Sequence, residues 1–222
     1  MSNEHHVDFD RENRTGFPEI IYGEGKTSTQ IINIIHELLP RHHKALITRI
    51  DETKATEVLH HIPEGRYNVA ARTLVYGQCD PIELGHVLVV SAGTSDVPVR
   101  EEAVETGQWL GCRVETMTDV GVAGIDRLLS QKETLQNASI VIVIAGMEGA
   151  LSSVVAGLVK RPVLAVPTSV GYGANLEGIT PLLAMVSSCA SGMSVVNINN
   201  GFGAMYQAAQ ILKLAADLSE ER

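Results

Sequence analysis

Val87-Leu88-Val89-Val90-Ser91-Ala92-Gly93-Thr94-Ser95-Asp96 is the stretch on which the fold turns. A short apolar run without polar alternation leads into small, hydroxyl-bearing residues and an acid. Runs of this kind are strands buried on both faces, as in parallel sheets with helices packed above and below. Similar candidate strands follow at Arg113–Thr116, Ile140–Ala145, Val163–Val166 and Val195–Asn199. Helical stretches alternate with them over Val99–Leu110, roughly Gly124–Leu129, Ala150–Val159, Ile179–Ser188 and Gly203–Leu218. Five strand–helix units between Val87 and Arg222 predict an α/β, flavodoxin-like, doubly wound parallel sheet. Such sheets bind ligands beyond the carboxyl ends of their strands, so the residues just after each run are the candidates for function.

The chain before Val87 differs in composition. All eight histidines lie there, whereas 14 of the 20 glycines lie after it. A boundary in Gln78-Cys79-Asp80-Pro81-Ile82-Glu83-Leu84-Gly85 predicts a smaller N-terminal α/β unit with its linker over residues 1–86 and a catalytic domain over 87–222. Glu19–Tyr22 and Ala45–Thr48 read as strands, and Tyr67–Val75 as a third. Thr27 or Ser28 starts a helix with Ile31, Ile34, Ile35, Leu38 and Leu39 on one face, and a short helix opens near Asp51. The pattern is a small βαβαβ unit.

The 222 residues are 45% hydrophobic and 19% charged, enough for a sizeable core and unlike a disordered chain. A formal charge of −9 disfavours a nucleic-acid surface and an anionic membrane, and no apolar run has the length of a bilayer span. The opening Met1-Ser2-Asn3-Glu4-His5-His6 is unlike a leader peptide, and the three widely spaced cysteines argue against a disulfide framework. A cytoplasmic protein is the expectation.

Several motifs read as structure rather than chemistry. Tyr22-Gly23-Glu24-Gly25-Lys26-Thr27 resembles half a phosphate loop, but Ile20 stands where the full pattern needs glycine. His42-His43 and His60-His61 lack the spacing of a helical metal pair, and no metal site is expected. Gly171-Tyr172-Gly173 does not complete a dinucleotide fingerprint. The ligand-facing candidates are different. Gly93, Thr94, Ser95 and Asp96 end the first long strand, where backbone amides and Ser95 suit a phosphate and Asp96 suits ribose hydroxyls, or an ordinary helix cap. Gly146, Met147 and Glu148 end the Ile140 strand, and Asp119 stands after the Arg113 strand. Cys189, in the polar and glycine-containing loop Ser187-Ser188-Cys189-Ala190-Ser191-Gly192, is either a nucleophile or a bystander.

Ala92-Gly93-Thr94-Ser95-Asp96, Ala145-Gly146-Met147-Glu148-Gly149, Pro162–Pro167 and Asn197–Gly201 together resemble aminoimidazole ribonucleotide carboxylase/mutase of purine synthesis, over about residues 87–218. That resemblance implies a domain handling CO₂ and a ribonucleotide, commonly as an octamer. It also implies a catalytic histidine and a neighbouring arginine, where this chain has Thr118-Asp119-Val120. The whole chain, through Pro18–Thr27, Ala92–Asp96, Asp119–Gly124 and Ser187–Gly192, resembles the LarB family, pyridinium-3,5-biscarboxylic acid mononucleotide synthases of nickel-pincer cofactor biosynthesis. This second resemblance implies carboxylation of the pyridinium ring of nicotinic acid adenine dinucleotide and hydrolysis of its phosphoanhydride, with release of AMP.

The residues suit that reaction. A pyridinium ring is too electron-poor to attack CO₂, but thiolate addition converts it into a neutral enamine that can. Cys189 would supply the thiolate, and Glu148 or Asp119 the base that removes the ring proton before the thiolate leaves. No tightly bound cofactor is implied; CO₂ or bicarbonate is the co-substrate, and a role for Mg²⁺ is left open. The expected assembly is a homo-octamer, to which the apolar face of the last helix (Met205, Ala208, Ala209, Leu212, Ala216) would contribute. A purine-type carboxylase and a non-catalytic nucleotide-sensing module are the alternatives. Asp96→Ala is expected to weaken dinucleotide binding more than folding.

Overall fold

The structure is a computed structural model and describes residues 6–220; residues 1–5, where the leader reading rests, lie outside it. Its frame is a five-stranded sheet of β5 (Val87–Ser91), β6 (Val114–Met117), β7 (Ile140–Ala145), β8 (Val163–Pro167) and β9 (Met193–Val195), ordered β6-β5-β7-β8-β9 and parallel throughout. This is the flavodoxin-like order expected above. Alternate strand residues feed opposite faces. Val87, Val89, Ile140, Ile142 and Ile144 pack under α4 (Val97–Trp109) and α9 (Gly201–Glu220). Leu88, Val90, Val141 and Val143 pack under α5 (Ile125–Leu129), α6 (Lys132–Asn137), α7 (Ala150–Ala156) and α8 (Ile179–Val186). Two covered faces account for strands that read as unbroken apolar runs.

The N-terminal residues build a second sheet in the order β1-β2-β4-β3, from β1 (Ile21–Tyr22), β2 (Ala45–Thr48), β3 (Arg66–Asn68) and β4 (Thr73–Tyr76). Helix α1 (Arg11–Thr15) precedes it. Helices α2 (Ser28–His42) and α3 (Glu52–His61) pack on one face through Ile31, Ile35, Leu38, Ala55 and Val58. Thr27 caps α2 in a reciprocal capping box with Gln30, and Asp51 caps α3 by accepting from the Lys54 amide. The two histidine pairs close these helices.

The single strand expected over Tyr67–Val75 is instead an antiparallel hairpin, β3 with β4. The Asn68 side chain accepts from the amides of Ala70 and Ala71, an Asx turn that folds the chain back. The last strand also sits earlier than expected, at 193–195, because Asn197–Asn200 turns into α9 and Asn199 adopts a left-handed conformation (φ 57°).

The second face of the small sheet has no helix of its own. Leu46 and Val75, paired in register, point with Phe17 and Cys79 into the core shared with α4 and α9. Trp109 crosses this seam: its indole N–H donates to the Tyr76 carbonyl (3.2 Å), and its carbonyl accepts from the Cys79 amide (2.8 Å). Two buried carboxylates on α4 receive arginines from the N-terminal sheet, Glu102 from Arg49 (3.3 Å) and Glu105 from Arg66 (3.0 Å). The apolar face of α9 is buried within the chain at Met205, Ala208, Ala209 and Leu212, which corrects its expected role in assembly. The uncovered apolar stripe lies elsewhere, along Leu176, Ile179, Leu183 and Val186 before and within α8.

Candidate active site

Strand order reverses at β5, whose sheet neighbours are β6 and β7. A cleft of about 550 Å³ opens beyond their carboxyl ends. It is lined by the segments that follow β5, β6, β7 and β8, and it gathers Gly93, Thr94, Ser95, Asp96, Asp119, Gly146, Met147 and Glu148. Each of these stood at a strand end in the sequence. Among the described residues, none that lines the cleft is a histidine.

The four segments lock one another. Asp96, 3% exposed, accepts from the Gly93 amide (3.0 Å) and from the Thr168 hydroxyl (2.7 Å), so it ties the β5 turn to the segment after β8. Burial pushes the Asp96 carboxyl above its ordinary range, with the Thr168 and Gly93 hydrogen bonds opposing the shift. Asp96 is therefore a structural tie, and its loss bears on folding more than the sequence suggested. Thr94 and Ser95 stand exposed beside it. Gly146 cannot carry a side chain, because an added Cβ would lie 2.3 Å from the Val170 carbonyl. Met147 follows with φ 52°, a left-handed conformation rare for such a residue, and its amide donates to Val170 (2.7 Å) while Asn175 holds its carbonyl (3.1 Å).

The two acids differ in their surroundings. Asp119, also left-handed (φ 57°), accepts from Arg127 Nη1 at 2.6 Å. Glu148 is exposed, and its carboxylate has no side-chain or backbone partner among the described residues. Both are exposed. Arg127 and Tyr172, the latter 82% exposed, also line the cleft and were not singled out in the sequence. Tyr172 stood in a glycine motif weighed only as a dinucleotide fingerprint. Arg127 carried no local signal.

Cys189 is the one exposed cysteine among the described residues and does not line the cleft. Its loop joins α8 to β9 and so leads to the amino ends of the strands, where the Gly192 carbonyl accepts from the first residue of β8, Val163 (3.1 Å). Ser188 is hydrogen-bonded to Ser153, a turn along α7 (2.8 Å). Cys79 and Cys112 are buried, and burial pushes their thiols up to about 11 and about 12.

A further network runs from the N-terminal sheet to the segment after β8. Arg49 Nη2 donates to the Asn199 carbonyl (2.6 Å), and the Asn199 side chain exchanges hydrogen bonds with the Ser169 amide and hydroxyl (2.9 Å each), next to Thr168.

Comparison with known proteins accords with this architecture. The family model of the LarB/PurE-like N-terminal domain matches residues 3–78, and that of AIR carboxylase matches residues 86–222. An uncharacterized protein of Methanocaldococcus jannaschii is 41% identical over 217 residues, covering 94% of this chain and 84% of its own length. The N5-carboxyaminoimidazole ribonucleotide mutase of the same organism is 31% identical over 132 residues, 58% of this chain and 79% of that protein. A crystal structure of a Treponema denticola PurE2 variant aligns over 58% of this chain and 79% of its own, with a TM-score of 0.49 and 20% identity. With both family models matched in tandem, the chain belongs to the LarB family and pairs that family's N-terminal domain with a carboxylase/mutase-type domain of the AIR carboxylase family.

Proposed function

We propose that this protein carboxylates the pyridinium ring of nicotinic acid adenine dinucleotide and hydrolyses its phosphoanhydride. The products are AMP and pyridinium-3,5-biscarboxylic acid mononucleotide, a step of nickel-pincer cofactor biosynthesis. The observation that carries the reading is a carboxyl-end cleft with two exposed acids and, among the described residues, no histidine, in a chain matched by the LarB N-terminal model. The purine reaction, by the resemblance drawn above, calls for a histidine there.

The Cys189 thiolate adds to the ring, the cationic nitrogen accepts the electron pair, and a neutral enamine results. The enamine carbon attacks CO₂ and forms the new C–C bond. A carboxylate then takes the proton from that carbon, the C–S bond breaks and aromaticity returns. Glu148, whose carboxylate is unpartnered, is the better base, and Asp119 with Arg127 orients the substrate. Gly93, Thr94, Ser95, Gly146 and Met147 bound the space for the mononucleotide, with Asp96 fixing their geometry. Water cleaves the phosphoanhydride.

Cys189 and the cleft stand apart within one chain, so the reading requires a homo-oligomer in which one copy's thiol serves another's cleft. The uncovered α8 stripe supports it, because it begins close to Tyr172 at the cleft rim and ends at the thiol loop. The deciding experiment incubates the protein with the dinucleotide and ¹³C-bicarbonate, with and without Mg²⁺, and follows nucleotide mass. The expected result is a mononucleotide bearing the label, together with AMP. Absence of both under all conditions rejects the reading.

A further inference from the structure

A second cavity lies where the two sheets meet, apart from the cleft. About 920 Å³ opens between β1, β2 and the start of α9, within the size range of small-molecule sites, and no step of the proposed reaction uses it. Three arginines line it, Arg11, Arg14 and Arg49, together with Glu102, which pairs with Arg49. Asp8 accepts from Arg11 Nε (3.2 Å), which leaves both terminal nitrogens of Arg11 without a partner among the described residues. Asp8 itself does not line the cavity and also accepts from Arg14. Arg49 is fixed by Glu102 and by the Asn199 carbonyl. Aromatic residues line it too: Tyr22, 48% exposed with its hydroxyl on Glu24, and the pair Phe202 and Tyr206, whose rings lie 5.8 Å apart. Gln207 adds an exposed side-chain amide with no partner among the described residues.

A planar fork of free N–H groups is suited to phosphate oxygens, and aromatic faces with a free amide suit a base. An inorganic anion would leave the aromatic wall unused, and an uncharged apolar ligand would desolvate Arg11 without compensation. We propose that this junction cavity is a nucleoside-monophosphate site, with Arg11 on the phosphate, Arg49 adding positive charge, and Tyr22, Phe202 and Tyr206 around the base. It is separate from the carboxyl-end cleft and does not depend on the reaction assigned to that cleft.

The test is calorimetric titration of the full chain with AMP, alongside adenosine and inorganic phosphate. Saturable binding of one AMP per chain is expected, with each fragment weaker by roughly tenfold or more, since each lacks half the contacts. Arg11→Ala removes a half-buried ion pair and leaves Asp8 its Arg14 partner, so it costs little in folding, and it should weaken AMP by roughly tenfold or more. Gln207→Trp fills the cavity from an exposed position and should abolish binding. Glu148→Gln, in the cleft, should leave AMP affinity unchanged. Two sources of the nucleotide separate by competition. If the cavity holds the AMP half of the dinucleotide, the two ligands exclude each other and Arg11→Ala raises KM without changing kcat. If it takes free AMP, both bind together. No saturation by AMP at millimolar concentration, or full affinity in both Arg11→Ala and Gln207→Trp, overturns the proposal.

Discussion

The two ends of the five-stranded sheet are built from similar material and do different work. At the carboxyl end, the segments after β5, β7 and β8 bind one another through Asp96, Thr168, Val170 and Asn175, the segment after β6 joins them through the Gly121 amide on the Ala92 carbonyl, and two acids face open space. Toward the amino end, a single loop carries an exposed thiol beside α8, whose outer apolar stripe no described residue covers. The strand between them is roughly 13 Å long, four steps of about 3.3 Å. Under the proposed reaction, a catalytic set divided in this way works only when the ends of different copies meet.

The largest effect tests that division directly. Cys189→Ser should reduce carboxylation to background with the fold intact, whereas Cys112→Ser should change only thermal stability. A Cys189→Ser chain co-refolded with a Glu148→Gln chain should regain activity that neither has alone, because mixed assemblies contain one intact site. Failure of the mixture, when each variant assembles normally, would place thiol and acid in one subunit. Next in size, Leu183→Glu sets a charge on the uncovered α8 stripe. Light scattering should then report a smaller particle, and activity should fall with it; an unchanged mass removes α8 from the interface.

Asp96→Ala sharpens the contrast from the carboxyl end. It strands the Gly93 amide and the Thr168 hydroxyl, and should cost about 2 kcal/mol of stability by urea unfolding. Asp96→Asn should recover part of that loss. The smallest effect concerns pH. Burial first, against the opposing pull of Arg49, raises the Glu102 carboxyl above its ordinary range. A carboxyl raised by folding contributes stability that is complete below its unfolded pKa and is lost as pH rises through the folded one. Glu102→Gln should therefore flatten the decline in stability above the usual carboxylate range; an identical slope in both proteins contradicts this.

Periodicity made the parallel sheet legible, since β5 and β7 are unbroken apolar runs with the same ends in sequence and structure. The small sheet was harder to read. Its hairpin depends on one Asn68 side chain, and its second face is covered by a helix 20 or more residues further along. The cleft was legible because parallel strands place all their exits at one end, so each acid could be assigned from its strand alone. The placement of Cys189 among the ligand-facing residues fails for the same reason: its loop enters a strand rather than leaving one. Arg127, Thr168 and the Arg49–Asn199 contact are tertiary pairings without a local signature, and the α9 face, apolar in sequence, was already covered by α4.

Trp109 is the one tryptophan in the chain, and it is held at the seam by Tyr76 and Cys79 rather than in the middle of either sheet. Its fluorescence therefore reports on a single event, the docking of the N-terminal sheet against α4. A red shift that precedes the loss of helical circular dichroism during denaturation would mean that the seam opens before the parallel sheet unfolds. Coincident transitions would mean that the two sheets form one cooperative unit. The protein carries its own optical gauge of how its halves are joined.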